Sequence, residues 1–299
     1  MKDNEREYAA LITDQFPELN MQSVDSLGEG YRNYAILVNR EWVFRFPKSQ
    51  QGADELNKEI GFLPLLSSHV KVAIPEFEYI GTQSDGRPFA GYRKVHGEIL
   101  GEDGIASISE HASHRLAEQL ADFMNALNTF PVETAIQAGV PVRNLANDIH
   151  LLKEAMEKQA FPHLNPSLRD YLNRRFQSFL EEPAYTRYSP ALIHADLSPD
   201  HFLTDAHQTA LTGIIDFGDA AISDPDYDYL YLLEDCGELF TRRVMTYRGE
   251  ADLDDRIQKI SLLVTFDQVR YLLEGLESGD QDWIQEGFEA VEQDMRGNQ

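Results

Sequence analysis

One stretch, residues 192–228, constrains this chain more than any other. It reads Leu192-Ile-His194-Ala-Asp196-Leu-Ser-Pro-Asp200-His201-Phe202-Leu203. It then crosses a polar turn at residues 205–208 and continues as Leu211-Thr-Gly-Ile-Ile-Asp216-Phe-Gly-Asp219. Phe202-Leu203 and Ile214-Ile215 are short apolar runs with acids at their ends, which is the pattern of two strands. A turn between them folds the chain back as a hairpin. Asp196 and Asp216, twenty residues apart, are thereby brought to one mouth. A hairpin with solvated acids is the plain alternative, and for either acid alone it would be the better reading. Two acidic motifs in order, at hairpin spacing, favour a site.

The order of residues resembles the catalytic half of a kinase. His-x-Asp-Leu is followed, five residues after the Asp, by a metal-side position (His201), and then by Asp-Phe-Gly. Phosphoryl transfer needs these residue types, because one carboxylate orients the attacking hydroxyl while another holds magnesium on the phosphates.

A chain of 299 residues is long enough for two lobes with buried cores. Its 42% hydrophobic and 26% charged content is that of an ordinary globular protein. No apolar run reaches the roughly eighteen residues of a membrane span, and the N-terminus lacks a signal-peptide core. A single cysteine, Cys236, excludes an internal disulfide and a cysteine-rich metal site. A cytoplasmic location and a monomer are expected. The net charge of −25 argues against nucleic acid or an anionic membrane as partner and favours a polycationic substrate.

Residues 3–16 read as a helix that stops before Pro17. Strands are expected around residues 21–27, 34–38 and 42–46. The turn Gly28-Glu29-Gly30-Tyr31-Arg32-Asn33 separates the first two. Strand, glycine turn, strand is how a kinase covers nucleotide phosphates, although Gly-x-Gly alone is commonly a plain hairpin turn. Alternation along the third strand turns Arg45 away from Phe44 and Phe46, and Lys48 follows. Leu56, Ile60, Leu63 and Leu66 mark a helix over 53–66, with Glu59 as the brace for Arg45 and Glu55 as the fallback. Strands at 77–81 and 88–93 lead to Lys94-Val95-His96-Gly97, the expected crossover, where a purine ring would bond to backbone. Helices are expected over 109–128, 145–160, 167–181, 226–247, 253–276 and 280–295. The expected architecture is therefore α+β: an antiparallel β-sheet lobe with a helix over residues 1–94, and a larger, mainly helical lobe over 95–299.

Longer stretches carry a closer resemblance. Gly28-Glu29-Gly30, Phe44-Arg45-Phe46-Pro47-Lys48 and Phe89-Ala90-Gly91-Tyr92 are three of them. The longest runs from Gly213-Ile-Ile-Asp216-Phe-Gly-Asp to Asp224-Pro-Asp-Tyr-Asp228, then Leu232-Leu-Glu234-Asp235. With these the chain resembles the aminoglycoside O-phosphotransferases, most nearly those acting on the 2″-hydroxyl. The resemblance implies a bilobal, protein-kinase-like fold, ATP or GTP as co-substrate, and Mg2+. It implies Asp196 as catalytic aspartate and His201 with Asp216 as the metal-side pair. Gly28, Gly30, Arg45, Lys48, Glu59, Lys94 and Val95 fall to the nucleotide. Asp200, Glu234, Asp235 and Glu238 are candidates for binding the antibiotic, with a solvated acidic face as the alternative for the last three.

Arg45 stands where aminoglycoside kinases generally carry Lys, and His201 where many kinases carry Asn. Macrolide kinases resemble the chain at both positions. A kinase for another small molecule, such as a macrolide, is the runner-up. A kinase-fold nucleotide-binding protein without catalysis is the reading from another class.

Overall fold

The computed structural model describes residues 3–30, 32–101 and 104–298, so Tyr31 of the glycine turn lies outside it. Helix α1 (Asp3–Gln15) precedes strands β1 (Val24–Glu29), β2 (Asn33–Val38) and β3 (Trp42–Pro47). Helix α2 (Gln50–Leu66) follows, then β4 (Phe77–Thr82) and β5 (Pro88–Arg93). The five strands form one sheet in the order β1-β2-β3-β5-β4, with every neighbouring pair antiparallel.

Strand alternation decides which side of this sheet does what. Phe44 and Phe46 of β3 are buried with Ile12 of α1 and with Tyr34, Ile36, Val38 and Phe89. Tyr8 stacks on Phe46 at 4.0 Å between ring centroids. Burying a side chain of this kind contributes about 1.5–3 kcal/mol, so the aromatic face anchors α1 on the sheet. Arg45 lies between the two rings in sequence, paired in register with Ala35 and Ala90, and takes the opposite face.

Beyond the sheet come β6 (Glu98–Ile99), α3 (Gly104–Ser107), α4 (Glu110–Thr129), α5 (Val132–Gln137), α6 (Leu145–Gln159), α7 (Pro166–Leu180) and α8 (Pro183–Thr186). Side chains cap three of the long helices: Ser109, Asn144 and Asn165 each accept a backbone N–H three residues on. Strands β7 (Ala191–Ile193), β8 (Phe202–Thr204), β9 (Leu211–Ile214) and β10 (Ala221–Ser223) follow. β8 and β9 form the expected antiparallel hairpin, β6 extends it, and β7 pairs with β10. Helices α9 (Leu230–Arg248), α10 (Leu253–Ser278) and α11 (Gln281–Gly297) end the chain.

The fold is the expected kinase-like one, with an antiparallel sheet region followed by a mainly helical region. Two expectations need correction. The helix does not begin at residue 226: Pro225–Tyr229 is a 3-10 turn, capped by Asp224, which accepts the Asp226 N–H at 3.0 Å. And α9 is interrupted at Gly237, whose φ of 78° and ψ of 164° are not helical. Glu234 and Asp235 therefore lie before the break and Glu238 after it, so the acids do not share one continuous helix face.

Helix α2 is held from the helical side as well. Phe62, Leu63 and Leu66 are buried against Leu120 and Phe123 of α4 and against Phe217. That packing fixes its other face beside the sheet. Among the described residues no helix is long and apolar enough to cross a membrane.

Candidate active site

Strand β7 delivers His194, Ala195 and Asp196 to the head of a loop whose backbone is tied down by one buried side chain. Asp228 accepts the N–H of His194 at 3.1 Å and of Ala195 at 2.7 Å. Ala195 sits at a φ of +66°, uncommon for a residue with a Cβ, so these bonds hold a bend the chain would not favour unaided. Burial pushes the Asp228 carboxyl up to about 6, and the two N–H groups and Arg248 work in the other direction. His194 is buried, with Nε2 3.2 Å from the Ile215 carbonyl oxygen. Burial, aided by nearby His201, lowers its pKa to about 3, so it is a neutral packing residue.

His201 stands between the two acids. Its Nδ1 donates to the Asp196 carbonyl oxygen at 2.9 Å and lies 3.6 Å from Asp196 Oδ2. A proton on Nδ1 leaves the lone pair on Nε2, which faces Asp216 Oδ2 at 3.8 Å. Burial pushes Asp196 up to about 6; His201 opposes this, while Asp216 and Asp219 reinforce it. Asp216 follows β9 at a φ of +65°. Burial disfavours its charge, but Arg45, then His201 and the Gly218 N–H, outweigh that and hold its pKa below the usual range.

Helix α2 presents three charged side chains from one face. Glu59 Oε2 accepts from Arg45 Nη1 at 2.7 Å, and Arg45 Nη2 reaches Asp216 Oδ1 at 3.4 Å. The buried Lys58 donates to the carbonyl oxygens of Gly218 and Ala220, the latter at 3.0 Å. Glu55, one turn earlier, forms an ion pair with Arg32 Nη1 at 2.7 Å. The brace on Arg45 is therefore Glu59, and Glu55 serves the glycine turn instead.

Two clefts meet at this point. The larger, of about 810 Å³, has an apolar slot formed by Ala35, Val43, Tyr92, Val95, Leu203 and Ile215. Gly30, Arg45, Lys94 and Asp216 also line it. Gly97, at the far end of the crossover, has a φ of +136°, and a Cβ there would meet Thr212 Oγ1 at 2.4 Å, so only glycine fits. The smaller cleft, of about 350 Å³, is lined by Arg143, Asp148, Tyr227, Tyr231, Asp267 and Arg270, among others. Asp196 borders both.

Residues 23–260 match the model of the phosphotransferase enzyme family. The chain belongs to that family. This phosphotransferase is 68% identical to a wild-type aminoglycoside 2'-phosphotransferase-IIIa solved as its GDP complex, covering 99% of this chain and 100% of that one with a TM-score of 0.97. It is 69% identical to APH(2″)-IIIa solved with GDP and kanamycin, covering 98% and 99% of the two chains with a TM-score of 0.95. The viomycin phosphotransferase of Streptomyces vinaceus is more distant, 21% identical over 85% of this chain and 88% of its own.

Not every residue singled out in the phosphotransferase's sequence reaches a cleft. Lys48 bonds Glu29 Oε1 and the Gly30 carbonyl oxygen, both at 2.9 Å, and with Gly28 it is absent from the described residues that line either cleft. Its place is on the glycine turn. Asp200 is exposed on the 3-10 turn Pro199–His201, and Glu238 pairs with Arg242 at 2.6 Å. Glu234 accepts from Gln268; burial of its carboxyl end, then Asp267 and Asp235, pushes its pKa up to about 8. Cys236 is no nucleophile, since burial raises its thiol pKa. Arg32, Lys58, Asp219 and Asp267 are site residues the sequence reading missed. Asp219, directly after Asp-Phe-Gly, was the one with a usable signal.

Proposed function

We propose that this phosphotransferase moves the γ-phosphoryl group of GTP or ATP onto a hydroxyl of an aminoglycoside, the 2″-hydroxyl, and so confers resistance to the antibiotic. The observation that carries the reading is the 68–69% identity, over nearly the whole chain, to structures holding GDP, and GDP with kanamycin. Residues 1–94 would form the nucleotide-binding lobe and 95–299 the catalytic and substrate-binding lobe, with 94–97 as hinge. The protein would act in the cytoplasm as a monomer.

The purine enters the apolar slot, and its edge bonds to backbone around Lys94 and Val95. Gly28 and Gly30 let the turn lie over the phosphates, Lys48 steadies that turn, and Arg45, braced by Glu59, grips phosphate oxygens. A planar guanidinium offers a fork where a lysine offers a point charge. Asp196 accepts the acceptor hydroxyl's proton; a carboxyl near 6 is ionised at neutral pH and more basic than an ordinary one.

Asp216 and His201 fit magnesium: a carboxylate oxygen is the hard donor it prefers, and the Nε2 lone pair faces the same carboxylate. Among the described residues no group of three or more His, Cys, Asp or Glu side chains forms a metal cage. Phosphate oxygens and water would therefore complete the shell. Magnesium, when bound, supplies charge neutralisation on the transferring phosphoryl group. Asp267 and Asp148 bind amines in the smaller cleft, with Glu234 and Asp235 beside it and Asp200 and Glu238 at longer range.

Purified protein offered GTP and ATP with a panel of aminoglycosides and macrolides tests this, the product being located by NMR. Transfer to the 2″-hydroxyl of an aminoglycoside is expected. Transfer to macrolides alone, or nucleotide binding with no transfer to any acceptor, overturns the reading.

A further inference from the structure

The two clefts share three lining residues: Arg32, Asp196 and Asp219. Arg32 is the one basic residue described in both. Arg45 and Lys94 line only the larger cleft, and Arg143 and Arg270 only the smaller. A phosphoryl group passing between nucleotide and acceptor crosses the volume where the clefts meet, beside Asp196. Its charge there is spread over three equatorial oxygens, and a cation at that point stabilises the passage more than either end state.

Arg32 is built into that junction. Its carbonyl oxygen accepts the Lys48 N–H at 2.9 Å, and a Cβ on Gly52 would lie 2.9 Å from the same atom, so the first turn of α2 packs on its backbone. Its Nη1 lies 2.7 Å from Glu55 Oε1 and 2.9 Å from Asp219 Oδ1, and 28% of the side chain is exposed. Both acids close on Nη1. A guanidinium carries five N–H donors, so this pairing leaves donor capacity for phosphoryl oxygens.

We infer that Arg32 is a catalytic residue, a cationic finger supplied in cis that contacts the transferring phosphoryl oxygens and is held ready by Glu55 and Asp219. The step rests on the aminoglycoside kinase reading above. The bond from the γ-phosphorus to the bridging oxygen breaks and releases the nucleoside diphosphate. A bond forms from phosphorus to the acceptor oxygen, and the hydroxyl proton passes to the Asp196 carboxylate. Arg32 takes no proton and stabilises the charge in transit.

Arg32→Ala and Arg32→Lys are assayed beside wild type for kcat and KM, with nucleotide affinity by calorimetry and thermal unfolding as controls. For Arg32→Ala, kcat is expected to fall about 10²–10⁴-fold, toward the range known for arginine fingers. Nucleotide affinity should stay within about threefold, and free guanidinium should restore part of kcat in this variant but not raise wild type. Arg32→Lys should lie between the two, since a point charge replaces a fork, and it carries the test if Arg32→Ala does not fold. A kcat within threefold of wild type, or a loss matched by an equal loss of nucleotide affinity, overturns the role. Wild type that phosphorylates no aminoglycoside is a failure of the functional reading instead, and the two outcomes are separated in one assay.

Discussion

Two side chains set the geometry at Asp196. His201 keeps its Nδ1 proton on the Asp196 carbonyl, so one imidazole fixes the loop and presents a lone pair toward Asp216. Asp228 holds the backbone at His194 and Ala195 through two separate carboxylate oxygens. Replacing Asp196 by Asn should leave nucleotide affinity near wild type and cut kcat by about 10²–10⁴-fold, the usual worth of a general base. Steady-state kinetics with calorimetry checks this, and near-native kcat would remove Asp196 from the mechanism. Replacing Asp228 by Asn turns one acceptor oxygen into an NH2 group that faces a backbone donor. A buried N–H left without a partner costs about 1–3 kcal/mol, so denaturant unfolding should show a loss of that size. An unchanged midpoint would mean the bend at Ala195 is held by something else. The sequence named Asp196, His201 and Asp216 because residue type and spacing carry the chemistry.

At the scale of elements, α2 does the most. Its apolar stripe was plain from Leu56, Ile60, Leu63 and Leu66, and position beside that stripe pointed to Glu59, which the structure buries. Lys58 was not legible, because its partners are backbone carbonyls of Gly218 and Ala220, which no residue type announces. Arg32 was missed for a related reason: its carboxylate partners lie on α2 and after Asp-Phe-Gly, and only the fold brings them to one atom. The smaller cleft draws on five distant segments, so local pattern could not assemble it. The break at Gly237 escaped notice because apolar periodicity resumes on either side. Lys58 acts as a strut from α2 to the loop that carries Asp216. Lys58→Met keeps the bulk and removes the donor, which leaves two carbonyls short of a partner. A destabilisation of about 1–3 kcal/mol is expected, with a higher magnesium concentration needed for half-maximal rate. If stability falls but the magnesium requirement does not move, Lys58 supports the fold without positioning Asp216.

Across the whole molecule the excess of acids, 51 Asp and Glu against 26 Lys and Arg, has to be reconciled with an anionic co-substrate. Each cleft carries both signs. Arg32, Arg45 and Lys94 line the larger cleft with Glu55, Glu98, Asp216 and Asp219, and Asp148 and Asp267 line the smaller one with Arg143 and Arg270, while Glu234 stands near Asp267 and Asp235. A polyanion in the larger cleft and a polycation in the smaller one can each find opposite charges beside the same Asp196. The contributing acids are partly solvated, so each pairing with an amine is worth only about 0.2–1 kcal/mol. Three of them give roughly 0.6–3 kcal/mol, or about 3- to 150-fold in affinity at tenfold per 1.4 kcal/mol. Such contacts are screened once the Debye length falls from about 10 Å at 0.1 M salt toward 3 Å at 1 M. KM for an aminoglycoside should therefore rise with salt. Measured above about pH 8, where the Glu234 carboxyl is ionised, Asp200→Asn, Glu234→Gln and Asp235→Asn combined should raise KM at low salt and flatten its dependence, because fewer charges remain to be screened. Nucleotide affinity in the same variant should change little, since none of the three lines the nucleotide side. A KM that does not respond to salt in the wild type would mean that the acidity serves solubility alone and that the acceptor is held by shape and hydrogen bonds.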